Sequence, residues 1–258
     1  MKINRPTSLP LDKFIEFALY DKDSGYYMKK NPFGKDGDFI TAPNITRLFS
    51  EIIAIWVVTF WKSIGSPKKF NLLELGAGNG EMMKVIWATL KNFPECFNSC
   101  SFSIHEKSDF LINKQKENLK SEKISWVKDI KQVNSHPTIF LANEFFDALP
   151  IKQFFKKKED WIERFVDLKE ENKAEFKEQL TDIKKIEQQL NFEISKNQNI
   201  IEYSPDTFKY LKNICSIVNK NDGGILIIDY GYLSSKMHET LQAVNNHKHS
   251  NVLEDIGD

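Results

Sequence analysis

Cysteine is scarce in this chain. Three residues, Cys96, Cys100 and Cys215, form an odd set at no disulfide-framework spacing, which excludes a cross-linked secreted scaffold and points to a reducing, cytoplasmic setting. Net charge is absent: Lys plus Arg and Asp plus Glu each number 36. No whole-molecule basic field is therefore available, and nucleic acid is not an expected partner. Long apolar runs are missing too. The longest, Ile52 to Phe60, is interrupted by Thr59 and is too short to span a bilayer, so membrane insertion is not expected. The opening Met1 to Pro6 lacks the apolar stretch of a signal peptide. Cys96, Cys100 and His105 could be imagined as zinc ligands, but unrelated free thiols are the simpler reading. What is present, 258 residues with 41% hydrophobic and 28% charged, suffices for one sizeable core or a core plus a small subdomain.

Hydrophobic periodicity divides the chain. A short helix is predicted over Leu11 to Tyr20, then a Gly/Asp-rich loop from Gly34 to Asp38. A strong helix follows from about Asn44 to Lys62, with Ile45, Leu48, Phe49, Ile52, Ile53, Trp56, Val57 and Phe60 at helical spacing and Asn44 as its N-cap. From Phe70 the pattern alternates. Strands are read at Phe70–Leu75, Ser101–His105, Ile124–Val127, Thr138–Ala142 and Gly224–Asp229, with helices near Glu81–Lys91, Asp109–Leu119 and Pro205–Val218. Short apolar strands separated by helices predict an α/β fold, a parallel sheet covered on both faces. Residues 150–200 interrupt the alternation: two aromatic-rich β-segments within Gln153 to Leu168, then a highly charged helix from Lys169 to Leu190. The expected organisation is one domain: an N-terminal helical and loop extension (1–66), the first half of the core with the ligand site (67–149), an insertion after the fourth strand (150–200), and the remaining core (201–258).

The segment Glu74-Leu75-Gly76-Ala77-Gly78-Asn79-Gly80 has the form of a strand, a tight turn and a helix start. Its glycines, Gly76, Gly78 and Gly80, permit positive φ and close approach of a ligand to the backbone. In open α/β sheets ligands bind beyond the carboxyl ends of the strands, where this turn falls. Glu106 closes the next strand, where an acid can accept from two ribose hydroxyls. A dinucleotide fits poorly, because a glycine is wanted where Glu81 stands, and an acid at that helix N-terminus repels a pyrophosphate. S-adenosylmethionine has no phosphate and carries a cationic sulfonium, so Glu74 and Glu81 suit it better. A tight turn without a ligand is the alternative, and glycine triplets alone are weak signals. Asp129, after the third strand, is read either as an acceptor for an adenine amino group or as a solvated turn residue.

The fourth strand runs into Asn143-Glu144-Phe145-Phe146-Asp147-Ala148-Leu149-Pro150. Asn143, Glu144 and Asp147 are the candidate catalytic residues; in a helical turn the two acids share a face. Carboxylates packed against aromatics call for a cationic partner. A substrate guanidinium would serve, oriented by bidentate contacts, with a carboxylate taking up its proton. The alternative is that the acids cap the following helix or pair with an internal cation. Asp38 and Thr41, in Gly37-Asp38-Phe39-Ile40-Thr41-Ala42-Pro43, could close over the cofactor, and a turn with a helix entry explains them equally well. Ile228-Asp229-Tyr230-Gly231 adds an acid and a phenol at another strand end.

Together with Gly25-Tyr26-Tyr27, Glu202-Tyr203-Ser204-Pro205 and Thr240-Leu241-Gln242-Ala243, these segments resemble the MidA family of methyltransferases, whose mitochondrial members assist assembly of respiratory complex I. The Gly-Asp-Phe-Ile-Thr and Asn-Glu-Phe-Phe-Asp-Ala-Leu-Pro blocks are the specific part of the likeness. The resemblance implies a Rossmann-like class I methyltransferase fold, S-adenosylmethionine as cofactor, and N-methylation of an arginine presented by a protein, in some members a complex I subunit. Two departures stand out. The family usually has Pro-Glu where this chain has Pro43-Asn44, and it continues past the Gly257-Asp258 region, so a C-terminal truncation is expected. A small-molecule methyltransferase and a non-catalytic cofactor-binding assembly factor are the rival readings.

Overall fold

The computed structural model describes residues 7–257 apart from 30, 31, 33, 35, 36, 40, 121, 122, 134, 170–172 and 246. Met1 to Pro6, Ile40 and Asp258 therefore lie outside the described residues, as does part of the Gly34 to Asp38 loop. The chain forms two compact units, where the sequence reading put one domain with an insertion. One contains residues 27–148 and 209–230, the other residues 1–26, 149–208 and 231–258.

The first unit is a five-stranded parallel sheet. Its strands lie in the order Gly223–Ile228, Thr138–Asn143, Phe70–Leu75, Cys100–His105, Ile124–Val127. The chain begins at the central strand, winds outward twice, then returns to its other side, so the winding reverses between Phe70–Leu75 and Thr138–Asn143. The central strand Phe70–Leu75 is buried throughout, which requires cover on both faces, while the edge strand Gly223–Ile228 is only partly buried. Leu72, Ile104, Ile139 and Leu141 pack with Ile53, Val57, Met83 and Ile86 of helices Arg47–Ser63 and Glu81–Leu90. Leu73, Leu75, Phe140 and Ala142 pack with Ile214 and Ile217 of helix Pro205–Asn221. This is the Rossmann-like α/β arrangement the strand pattern predicts. Two details differ. The long helix starts at Arg47, because the Thr46 hydroxyl, and not Asn44, accepts from the Leu48 amide; Asn44 sits in a separate short helix, Ala42–Ile45. That long helix is apolar nearly all round. It buries Ile53, Ala54, Val57, Val58 and Trp61, while Ile45, Leu48 and Ile52 from the expected stripe are exposed.

The other unit is an antiparallel sheet, in which Thr7–Pro10, Asp160–Leu168, Lys152–Lys157 and Ile200–Tyr203 lie side by side and Ala174–Thr181 pairs with Asp160–Leu168. The charged helix expected over Lys169 to Leu190 is mostly this last strand; only Ile183–Leu190 is helical. Phe176 and Leu180 are four apart, a spacing that suits both periods. Cross-strand charge decides for the strand: Lys177 pairs with Asp167, Lys157 with Glu178, and Lys169 with Glu175 at 2.5 Å. Arg164 lies between the rings of Phe155 and Phe176 and reaches Glu239 at 3.0 Å. Glu202 accepts from Gln153 and from the Thr240 amide and hydroxyl. The Glu202-Tyr203-Ser204-Pro205 and Thr240-Leu241-Gln242-Ala243 blocks thus meet in a structural network.

Candidate functional site

Every candidate residue belongs to the parallel-sheet unit, and the glycine turn is built from backbone that only glycine adopts easily. Gly76, Gly78 and Gly80 have φ of 63°, 55° and 83°. At Gly76 a side chain is doubly excluded, since a Cβ there would lie 2.7 Å from the Phe145 ring. Phe145 stands edge-on to Tyr210, whose hydroxyl is 2.7 Å from His105 Nε2. His105 Nδ1 lies 3.0 Å from the Val127 carbonyl, which can only accept. Nδ1 is therefore the donor; burial holds the pKa below the ordinary value, which favours the neutral ring, and in that form Nε2 accepts from Tyr210.

Glu74 ends its strand almost fully buried, 3% exposed. It accepts from the Met83 amide in the first turn of the next helix, while Oε2 has no partner among the described residues. Burial, and then the neighbouring Glu106, pushes its carboxyl up to about 8. Glu106 is also buried and raised by desolvation, but three donors hold it: the Lys107 and Ser108 amides at 2.9 and 3.0 Å, and Gln115 Nε2 at 3.1 Å. Gln115 donates as well to the Gly78 carbonyl at 2.9 Å and accepts from Trp126 Nε1 at 2.8 Å. It ties the turn to Glu106, and its place on the buried stripe of helix Asp109–Leu119 was the one signal that could have found it.

Across the winding reversal, Asn143 Oδ1 is buried without a partner among the described residues. The residues after it form a non-helical turn, so the shared face that a helical turn would give Glu144 and Asp147 does not arise. Glu144 has φ of 47°, a left-handed backbone. Asp229 shapes the turn by accepting from the Phe146 and Asp147 amides, both at 3.2 Å. Burial, then Asp229 and Glu144, raises Asp147 to about 6. Tyr230 donates to Glu144 Oε2 at 3.2 Å. Tyr27, which residue-level reasoning passed over, faces the same acids: burial first, then Asp147, Glu106 and Glu144, raises its phenol well above the ordinary range. Its carbonyl accepts from Ser108 Oγ at 2.7 Å, beside Glu106.

Of the remaining candidates, Thr41 connects to the glycine turn: Asn44 Nδ2 donates to Thr41 Oγ1, and Asn79 Nδ2 donates to Asn44 Oδ1, both at 2.9 Å. Asp38 is buried in the loop before it. Asp129 is exposed and accepts from the Lys131 amide at 2.9 Å, capping its own turn. Cys96, Cys100 and Cys215 are free.

Comparison with known proteins places this geometry. Over 99% of its length the chain is 27% identical to "Protein arginine methyltransferase NDUFAF7, mitochondrial" of Xenopus laevis, covering 64% of that protein. The Drosophila melanogaster homolog of that name is 28% identical, with 96% of this chain and 62% of the relative covered. The chain thus spans a little under two thirds of the curated relatives it matches. A crystal structure of a Burkholderia thailandensis protein bound to S-adenosyl-homocysteine shares the fold with a TM-score of 0.80 at 20% identity, over 97% of this chain and 67% of that one. Residues 52–258 match the family described as "Putative S-adenosyl-L-methionine-dependent methyltransferase", and the chain belongs to that family.

Proposed function

We propose that this chain binds S-adenosylmethionine at the glycine turn and transfers its methyl group to an arginine of a protein. One observation carries the reading: Glu74 Oε2 and Asn143 Oδ1, buried acceptors without a partner among the described residues, lie at the ends of adjacent strands at the winding reversal, where α/β sheets take ligands. Buried acceptors without donors cost stability, so a donor-rich, cationic ligand suits them. When bound, the cofactor supplies a methyl group on a positively charged sulfur.

The chain's own residues do the rest. Gly76, Gly78 and Gly80 keep side chains off the turn, and Glu106, steadied by its three donors, offers its remaining lone pairs to ribose hydroxyls. Glu74 and Asn143 accept from the ligand's cationic end. Glu144 and Asp147 hold and orient the guanidinium, with Tyr27 and Tyr230 beside them. Asp147, raised to about 6, is mostly ionised at neutral pH yet basic enough to accept the departing proton. Asp38 and Thr41 would close over the cofactor, and Asp129, exposed with one oxygen capping its own turn, would accept from the adenine amino group. The names of the curated relatives support arginine as the acceptor, and the MidA resemblance supports a respiratory complex I subunit as one such protein. The three free thiols support a reducing, cytoplasmic location.

The test is transfer of radiolabelled methyl groups from S-adenosylmethionine to cellular proteins, with the modified residues mapped. Label on arginine is expected. Binding of S-adenosylmethionine with no label on any protein would leave the small-molecule and the non-catalytic readings instead.

A further inference from the structure

We propose that the Thr41 hydroxyl is a dedicated hydrogen-bond donor to the amino-acid carboxylate of the cofactor, and that Asn79 and Asn44 are positioning residues that hold it in that sense. This rests on the cofactor reading above and adds a polarity that reading does not contain.

The polarity follows from a chain of groups that can each bond in only one way. The Glu81 backbone N–H can only donate, so the Asn79 atom facing it at 3.2 Å is Oδ1. That fixes Asn79 Nδ2 outward, and its partner at 2.9 Å is Asn44 Oδ1. Asn44 Nδ2 is then left to donate to Thr41 Oγ1 at 2.9 Å. Thr41 Oγ1 is an acceptor in this relay, so its own hydrogen points away from Asn44. Each link polarises the next in the direction set by the first turn of helix Glu81–Leu90. The Thr41 backbone is fixed as well, its carbonyl accepting from the Asn44 and Ile45 amides at 2.9 and 3.2 Å.

A hydroxyl held this way serves a group that needs donors. The ribose hydroxyls are donors matched by Glu106, and the cationic end is matched by the Glu74 and Asn143 oxygens that lack a donor among the described residues. The carboxylate is the anionic part of S-adenosylmethionine and has no hydrogen to donate, so a donating hydroxyl suits it best.

Calorimetry with the purified chain tests this, using S-adenosyl-homocysteine and 5′-methylthioadenosine, which lacks the amino-acid portion. Thr41→Val should weaken S-adenosyl-homocysteine roughly 10- to 100-fold, the range for a hydrogen bond to a charged group, and change 5′-methylthioadenosine by less than about twofold. Thr41→Ser should restore the loss. Asn79→Asp reverses the relay: the introduced carboxylate accepts from Asn44 Nδ2, Asn44 turns its oxygen to Thr41, and the hydroxyl is consumed. The same selective loss should follow with the melting temperature held or raised, since a carboxylate favours a helix N-terminus. In the Thr41→Val background Asn79→Asp should cost little more, whereas simple charge repulsion would add. Equal losses for both ligands, no loss for either, or full additivity would overturn the proposal. Wild-type protein that binds neither ligand overturns the cofactor reading and this with it; binding of both with Thr41→Val indifferent overturns this alone.

Discussion

The two units treat buried charge in opposite ways. In the antiparallel unit the buried charges are paired: Lys152, on the strand Lys152–Lys157, lies 3.0 Å from Asp12 and 2.6 Å from Glu163. In the parallel unit Glu74 and Glu106 are buried with no ion pair among the described residues, held instead by backbone amides and Gln115. A fold under selection for stability alone has no reason to bury acids this way. The difference locates function: the antiparallel unit pairs Lys152 with Asp12 and Glu163, and the parallel unit leaves two buried carboxyls for something else to satisfy.

Removing an ionisable group should therefore have opposite signs in the two units. Lys152→Met strands two largely buried carboxylates, and we expect a loss of about 2–4 kcal/mol, discounted for residual exposure, in denaturant unfolding at neutral pH. Glu74→Gln should do the reverse. A carboxyl raised to about 8 in the folded state, from 4.5, contributes stability that is full below 4.5 and is lost as pH climbs to about 8. At pH 7 most of that loss has occurred, so Glu74→Gln should stabilise the ligand-free protein by roughly 2–3 kcal/mol, with the gain vanishing near pH 4. The same variant should bind S-adenosyl-homocysteine much more weakly. A stabilised variant with full affinity would remove Glu74 from the site.

Why some of this was legible in the sequence is a matter of period and length. The strands Phe70–Leu75 and Ile124–Val127 and the helices Leu11–Tyr20 and Asp109–Leu119 were readable to the residue, because apolar runs and polar turns alternate sharply there. Residues 174–181 misled because Phe176 and Leu180 satisfy both periods and the deciding ion pairs are cross-strand, invisible to local pattern. Within the candidate site the glycine turn announced itself by composition. Gln115, Tyr27 and the Asn44–Asn79 bridge did not, since each has a partner at least 35 residues away. The left-handed backbone of Glu144 was equally hidden, because only tertiary context forces a non-glycine residue there.

The Asp147 prediction sharpens the comparison through pH. If Asp147 accepts the guanidinium proton, methyl transfer should rise up to tenfold per pH unit below about 6 and level off above it, and Asp147→Asn should flatten that limb. A wild-type profile flat from pH 5 to 7 would assign the proton elsewhere.

The smallest stability effect is expected at Glu144, and it separates a chemical role from a structural one. Its carboxylate accepts from Tyr230, which is 76% exposed, so that hydrogen bond adds little to the fold. Its backbone, at φ 47°, costs more than the side chain returns. Glu144→Gly should relieve the strain and leave stability unchanged or raised by about 0.5–1 kcal/mol, with the unfolded state's extra freedom offsetting part of the gain. Glu144→Gln keeps the strain and the shape, and its melting temperature should match wild type. Both variants should lose methyl transfer while retaining cofactor affinity, because the interaction they lack is made to the guanidinium. A carboxylate that served the turn would behave differently, costing on the order of 1 kcal/mol on replacement by Gln. Destabilised Glu144→Gln with intact transfer would place Glu144 with the paired, structural charges of the antiparallel unit, and the contrast between the units would then rest on Glu74 and Glu106 alone.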